Sequence, residues 1–282
     1  MAMNAAALET PSGKAARDEN FPVGSILLPA RLRPHVAAFY AFARTADDVA
    51  DSPALAPDDK IARLGRLAAA LHGRVDGPDV AAAARMRASL DETAVSARHC
   101  LDLLDAFRQD ATKLRYGGWG ELMDYCLRSA APVGRYLLDL HGENTALYPL
   151  SDPLCNALQV LNHLQDCAAD YRDLDRVYLP EPWLQDEGLG VETLAAAHCE
   201  PGLRRVFDRA LDGVDGLLTE AAPLASALRR WRLATEAASI QAVARKLSAL
   251  LRRRDPVAAQ VRLGRATYAS CIAEGVWKGL VR

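Results

Sequence analysis

The chain has 282 residues, half of them hydrophobic, and a net charge of -2. That is ample apolar material for a buried core, and too little basic excess for a general nucleic-acid binder. Six cysteines (Cys100, Cys126, Cys155, Cys167, Cys199 and Cys271) lie scattered with no CxxC pair and no metal-ligand spacing. That pattern suits reduced thiols in a cytoplasmic protein rather than a disulfide framework.

Residues 1–17 lack the positive start and apolar core of a secretory signal and predict a flexible, polar lead. Residues 18–282 then read as one all-helical domain. Alanine, leucine and arginine dominate, and alternating β-branched runs are nearly absent. Pro34 can occupy the first turn of a helix running to about Asp51, which Ser52-Pro53 ends. Further helices are predicted over 58–72, 79–90, 92–108, 119–141, 153–172, 203–220, 224–251 and 257–277, with Pro132 kinking or dividing the 119–141 stretch. No Ser/Gly-rich linker separates halves and no 20–50-residue period recurs. The basic run Arg252-Arg253-Arg254 reads as a solvated helix end or as a contact for anionic lipid headgroups. No apolar stretch approaches the ~20 residues that cross a bilayer, so a cytoplasmic protein is expected, peripheral to a membrane at most.

Nucleotide and hydrolase motifs fail. Gly117-Gly118-Trp119-Gly120 is not a GxxxxGK[ST] phosphate loop, and HExxH and GxSxG are absent. The chemistry must come from side chains on helices, and two acidic stretches supply candidates. In Arg44-Thr45-Ala46-Asp47-Asp48-Val49-Ala50-Asp51, the aspartates at 47 and 51 are i and i+4 on one helical face, with Asp48 at its flank. Phe39, Phe42, Ala43 and Ala46 lead into that face as an apolar stripe, which places the carboxylates on a half-buried surface. Like charges at i,i+4 cost roughly 0.2–0.5 kcal/mol, and desolvation adds to that; a bound cation would remove the cost. The alternative is an exposed acidic helix end with Arg44 and Asp48 as an i,i+4 pair. Past mid-chain, Asn162, Asp166 and Asp170 stand at i, i+4 and i+8, with Leu158, Leu161, Leu164 and Ala168 as apolar neighbours. An amide and two carboxylates over two turns offer hard oxygen ligands of the kind magnesium takes beside waters and phosphates. Here the alternative is a solvated charged face.

In order and spacing, these motifs resemble the squalene/phytoene synthase family. The family carries an early Asp-rich motif and a later N-x-x-x-D-x-x-x-D followed by Arg-x-Tyr-Leu-Pro; here these are Asp47…Asp51, Asn162…Asp166…Asp170 and Arg176-Val177-Tyr178-Leu179-Pro180. Asn20-Phe21, Leu28-Pro29, Arg33 and Tyr40-Ala41-Phe42-Ala43-Arg44 resemble its opening. Phe107…Asp110, Glu121-Leu122…Tyr125-Cys126 and Val133-Gly134 resemble its centre. The resemblance covers roughly residues 18 to 275.

The resemblance implies a single-domain, all-α isoprenoid-synthase-type bundle with a central cavity. By position it makes Asp47, Asp51, Asn162, Asp166 and Asp170 ligands of Mg2+. It makes Arg44, Arg176 and Tyr178 contacts to diphosphate, and Tyr125, Tyr40 and Asp48 residues of the reacting cavity. Asn20, Phe21 and Gln159 would line the substrate channel. The family's second motif usually reads R-D-x-x-E-D, whereas this chain has Gln165-Asp166-Cys167-Ala168-Ala169-Asp170; the segment from Asp170 to Arg176 is one residue longer, and Ala131-Pro132 replaces alanine-glycine. ENFPV and NHLQDCAADYRDLDRVYLP resemble the bacterial, hopanoid-pathway branch, whose members turn presqualene diphosphate into hydroxysqualene with water. The expected substrate is therefore an isoprenoid diphosphate, with no nicotinamide, no nucleic acid, partner enzymes in a pathway and room for a transient membrane contact. A head-to-head condensing enzyme and a non-catalytic scaffold relative are the alternatives.

Overall fold

The structure is a computed structural model that describes residues 28–280; the expected lead over 1–17 and the channel residues Asn20 and Phe21 lie outside them. Among the described residues there are helices and turns but no strand, and Tyr116 and Pro180 form an isolated β-bridge. The residues group into two compact units, one ending at Thr112 and the other beginning at Lys113.

The first unit holds α1 (Arg33–Ala50), α2 (Pro57–Leu71), α3 (Ala81–Thr93) and α4 (Arg98–Asp110). Pro34 stands in the first turn of α1, where its missing N–H costs nothing. Phe39, Phe42, Ala46 and Val49 are buried along α1, a stripe at helical spacing that packs on α2, α3 and α4. His35 Nδ1 lies 2.9 Å from Ser89 Oγ and ties α1 to α3. The predicted 92–108 helix is two pieces instead. Ala94 takes a left-handed backbone, φ 55°, and the buried Val95 follows it into the core. Ser96 Oγ then accepts the Arg98 amide at the start of α4.

The second unit holds α5 (Trp119–Ser129), α6 (Ala131–Leu140), α7 (Tyr148–Leu174), α8 (Glu181–Asp186), α9 (Pro201–Glu220), α10 (Leu224–Ala227), α11 (Trp231–Leu251) and α12 (Arg265–Leu280). Helix α7 is its axis, with α5, α6, α9 and α11 packed on it. Pro132 divides the 119–141 stretch as expected and sits in the first turn of α6. Helix α7 begins five residues before the predicted start, with Pro149 in its first turn and Pro153 inside.

Two boundaries depart for tertiary reasons. The predicted 224–251 helix breaks at 228–230, where the Glu143 carboxylate accepts the Arg229 and Arg230 amides at 3.2 and 2.7 Å. A distant acid thus takes the N-terminal donors that a continuous helix would have used. The predicted 257–277 helix starts only at Arg265, because Asp255 Oδ1 accepts the Val257 and Ala258 amides and holds a turn there. Helices α11 and α12 form an antiparallel hairpin. A Cβ on Gly275 would fall 2.6 Å from the Ser239 backbone nitrogen, and one on Gly279 would strike Thr235. Only glycine lets the two backbones approach this closely.

Candidate active site

Of the early aspartates, Asp47 and Asp48 lie on α1 as predicted, and Asp51 caps its C-terminal end. Asp47, Asp48 and Asp51 are half-buried, as are Tyr40 and Ala43 before them. Arg44 binds two of these carboxylates, reaching Asp47 Oδ2 with Nη1 at 3.1 Å and Asp48 Oδ1 with Nη2 at 2.8 Å. Asp47 keeps 35% of its side-chain surface and is half-buried. Burial, reinforced by Asp51, Asp48 and Asp110, pushes the Asp47 carboxyl up to about 8 against the pull of Arg44. Asp110, at the end of α4, is itself buried. In the sequence Asp110 shows only as part of a block that resembles the family, so its place beside Asp47 emerges from the fold. The electrostatics are those of a crowded anion cluster that one cation would relieve.

On α7, Gln159, Asn162, Asp166 and Asp170 form one half-buried line, while Val160, Leu161, His163 and Leu164 are buried around it. Asp166 Oδ1 accepts from Gln260 Nε2 at 2.5 Å. Its neighbour Gln165 is only 3% exposed and donates through Nε2 to the Val261 carbonyl. The segment between α11 and α12 is therefore fastened to the second acidic motif at two adjacent residues. Gln260 carried no local signal in the sequence, since its partner lies 94 residues away.

The Arg-x-Tyr-Leu-Pro tail folds back beside α7. Asp175 adopts a left-handed backbone at the helix end, φ 51°, and the Arg176 amide donates to the Asp170 carbonyl at 3.1 Å. The Val177 amide then donates to the Leu114 carbonyl and the Glu181 amide to that of Tyr116. Arg176 is 6% exposed, and its Nη1 lies 3.3 Å from the Tyr178 hydroxyl. Tyr178 stacks on His163, with ring centres 3.4 Å apart, and packs with Tyr116 and Tyr125 at 5.5 and 5.6 Å. The predicted cavity residue Tyr125 is thus 2% exposed in an aromatic cluster.

His163 and Tyr116 join that cluster although the sequence alone gives them no role; Tyr116 is brought there by its bridge to Pro180. Burial, with Arg176 adding to it, pushes His163 down to about 3, which keeps the imidazole neutral. Its Nε2 is buried with no hydrogen-bond partner. His163, Cys167, Arg176 and Tyr178 line a cavity of about 10 Å³, the space of about one water molecule.

Among the described residues no three His, Cys, Asp or Glu side chains form a ready metal cage. The donors nonetheless suit magnesium, which demands hard oxygens and is usually held by one or two carboxylates beside waters and phosphates rather than by a dedicated cage. Every ligand expected from the sequence is a carboxylate or an amide, and the raised Asp47 carboxyl marks a place where positive charge is wanted.

Comparison with known proteins identifies the family. The squalene/phytoene synthase family profile matches residues 14–267. A hydroxysqualene synthase of Rhodopseudomonas palustris is 46% identical over 257 residues, covering 91% of this chain and 87% of that one. One from Sinorhizobium fredii is 43% identical, covering 88% and 84%. Among solved structures, the squalene synthase HpnC of Alicyclobacillus acidocaldarius superposes with a TM-score of 0.72 at 33% identity, over 82% of this chain and 87% of that one. A dehydrosqualene synthase shares the fold, with a TM-score of 0.75 at 20% identity over 91% and 90%. With its Asp-bearing helices, its buried Arg-x-Tyr-Leu-Pro tail and a profile match over nearly its whole length, the chain belongs to the squalene/phytoene synthase family and has its all-α isoprenoid-synthase fold.

Proposed function

We propose that this protein converts presqualene diphosphate to hydroxysqualene and releases diphosphate. The observation that carries the reading is 46% identity to a hydroxysqualene synthase over nine-tenths of the chain.

In this reading Asp47 on α1, Asp51 at its C-terminal cap, and Asn162, Asp166 and Asp170 on α7 hold Mg2+. When bound, the metal would neutralise charge on the leaving diphosphate. Arg44 and Arg176 add guanidinium donors for phosphate oxygens, which they can bind in bidentate fashion. Tyr40 and Tyr125 offer π faces toward cationic carbon, each such contact worth roughly 0.5–2 kcal/mol. Asp48 keeps Arg44 oriented through its 2.8 Å contact, and Tyr178 does the same for Arg176. Asn20, Phe21 and Gln159 are assigned to the channel. As the carbon–oxygen bond to diphosphate breaks, the rearranged cation takes a water oxygen and a proton leaves. No hydride donor is consumed.

The test is incubation of purified protein with magnesium and presqualene diphosphate in oxygen-18 water, without reductant, with the product read by mass spectrometry. The expected product is an alcohol carrying the label, formed equally well with and without NADPH, while farnesyl diphosphate alone gives little turnover. Efficient conversion of farnesyl diphosphate to squalene with NADPH would overturn the reading in favour of a condensing enzyme.

A further inference from the structure

Among the described residues the exposed large hydrophobic side chains are Leu127, Trp231 and Trp277, with Trp277 at 68% and Trp231 at 54% exposure. The two tryptophans share one end of the second unit. Gly275 and Gly279 of α12 pack against Ser239 and Thr235 of α11, so the last turns of α12 lie beside the first turns of α11. Trp231 opens α11. Trp277 falls between the two glycines, and helical geometry puts it on the side of α12 turned away from α11. Both therefore stand at the open end of the hairpin, remote from the 252–264 connection.

Their neighbours are cationic. Arg229, Arg230 and Arg232 are exposed around Trp231, and Lys278 follows Trp277. The Arg232 guanidinium lies 5.3 Å over the Trp231 ring. The acids near this end are already engaged or buried. Glu143 takes the Arg229 and Arg230 amides and meets the Arg229 side chain at 3.6 Å. Glu274 pairs with Lys278 at 2.7 Å, and Glu236 is buried in α11. Four cations thus surround two exposed indoles, with two acids among them.

We infer that this end of the α11–α12 hairpin is a docking surface for an anionic lipid bilayer, entered by Trp231 and Trp277 and held by the surrounding arginines and lysine. Indole rings favour the headgroup level, where an apolar body meets a wet rim, and basic side chains beside them are drawn to anionic headgroups. A second copy of the chain fits less well. Two tryptophans bury about 150–250 Å² each, which falls short of the roughly 800 Å² per partner of a standard interface. The patch is also split by like charges that would face each other across a two-fold axis. The run Arg252–Arg254, at the other end of the hairpin, is a poorer candidate: Arg252 is tied to Asp212 and Asp215, and none of the exposed large hydrophobics belongs to that turn. No helix of the described residues is long and apolar enough to cross a membrane, so the contact is one that lies on the bilayer. The inference does not depend on which prenyl diphosphate the enzyme uses.

The experiment is flotation of the full-length protein with vesicles of phosphatidylcholine alone, or of phosphatidylcholine mixed equally with phosphatidylglycerol, at low and high salt. Binding is expected on the anionic vesicles, falling with salt, together with a blue shift of tryptophan emission. Trp231→Ser with Trp277→Ser should cut partitioning roughly tenfold or more. Arg232→Gln should cut it about fivefold at low salt. Both variants should keep the helical circular-dichroism spectrum and full turnover of substrate presented in detergent micelles. Absence of anionic-vesicle binding in the unaltered protein would overturn the inference, as would equal binding by the double variant. Concentration-dependent self-association that the double variant abolishes would assign the face to a second copy instead.

Discussion

Glu236 lies in the α11–α12 seam, one turn into α11, only 6% exposed and with Oε2 lacking a hydrogen-bond partner. Burial pushes its carboxyl up from 4.5 to about 7, and its charge is felt by Tyr268 across the seam. This predicts how stability varies with pH. Below 4.5 the acid is protonated in the folded and the unfolded chain alike, and burial costs no charge. As pH rises from 4.5 the unfolded chain ionises first, so the folded state loses ground until about pH 7, above which the deficit is constant. A gap of this size corresponds to a ceiling of about 3 kcal/mol, most of which should be lost between roughly pH 5 and pH 8. Glu236→Gln removes the titration. Its amide leaves a buried donor that can cost about 1–3 kcal/mol, but that cost is the same at every pH. The assay is urea unfolding of both proteins at several pH values: the stability of the glutamine variant relative to the parent should climb by about 2–3 kcal/mol from pH 5 to pH 8. Parallel profiles for the two proteins would show that Glu236 does not stay unpaired in the folded state, and the reasoning would fail.

Two further predictions concern the proposed chemistry. Asp47→Ala and Asp166→Ala should each lower turnover of presqualene diphosphate by about a hundredfold or more; near-full activity in either would remove the metal assignment. Both should keep the helical circular-dichroism spectrum, because Arg44 retains Asp48 and Gln165 still fastens the 255–264 segment. Arg176→Lys should weaken inhibition by free pyrophosphate about tenfold, since lysine cannot copy the two-pronged guanidinium grip; unchanged inhibition would count against a diphosphate contact there.

Most helices were legible because their signals are local. The Phe39, Phe42, Ala46 stripe and Pro34 define α1, and Pro132 marks the boundary between α5 and α6. The misplaced boundaries share another cause, a donor satisfied from far along the chain. Nothing near Arg229 announces that Glu143 will take its amide, 86 residues away, so the pattern over 224–251 reads as one helix. At 255–264 the sequence shows apolar residues at helical spacing, but the turn is set by Asp255 and the segment is fastened by Gln165 and Gln260 to α7. Site residues divide the same way. Aspartates repeated every four residues on one helix declare themselves, whereas Asp110, His163 and Gln260 acquire meaning only from what the fold sets beside them.

Gln165 shows how the two kinds of information combine. In the sequence, glutamine stands where the family's second motif usually carries arginine. The structure adds a physical reason for the exchange. Residue 165 is turned out of the Asn162, Asp166, Asp170 line, 3% exposed, with its amide on the Val261 carbonyl. A guanidinium there would take a charge out of water at a nearly sealed position, which is strongly disfavoured unless the charge is paired. Arginine would lose the Gln165 amide's contact to the Val261 carbonyl, one of the two ties that hold the 255–264 segment to α7 beside that of Gln260 to Asp166. The glutamine and the seating of that segment therefore belong together. A chain with arginine at this position should hold the connection between its last two long helices differently, and should leave the central aspartate of its second motif without this amide partner.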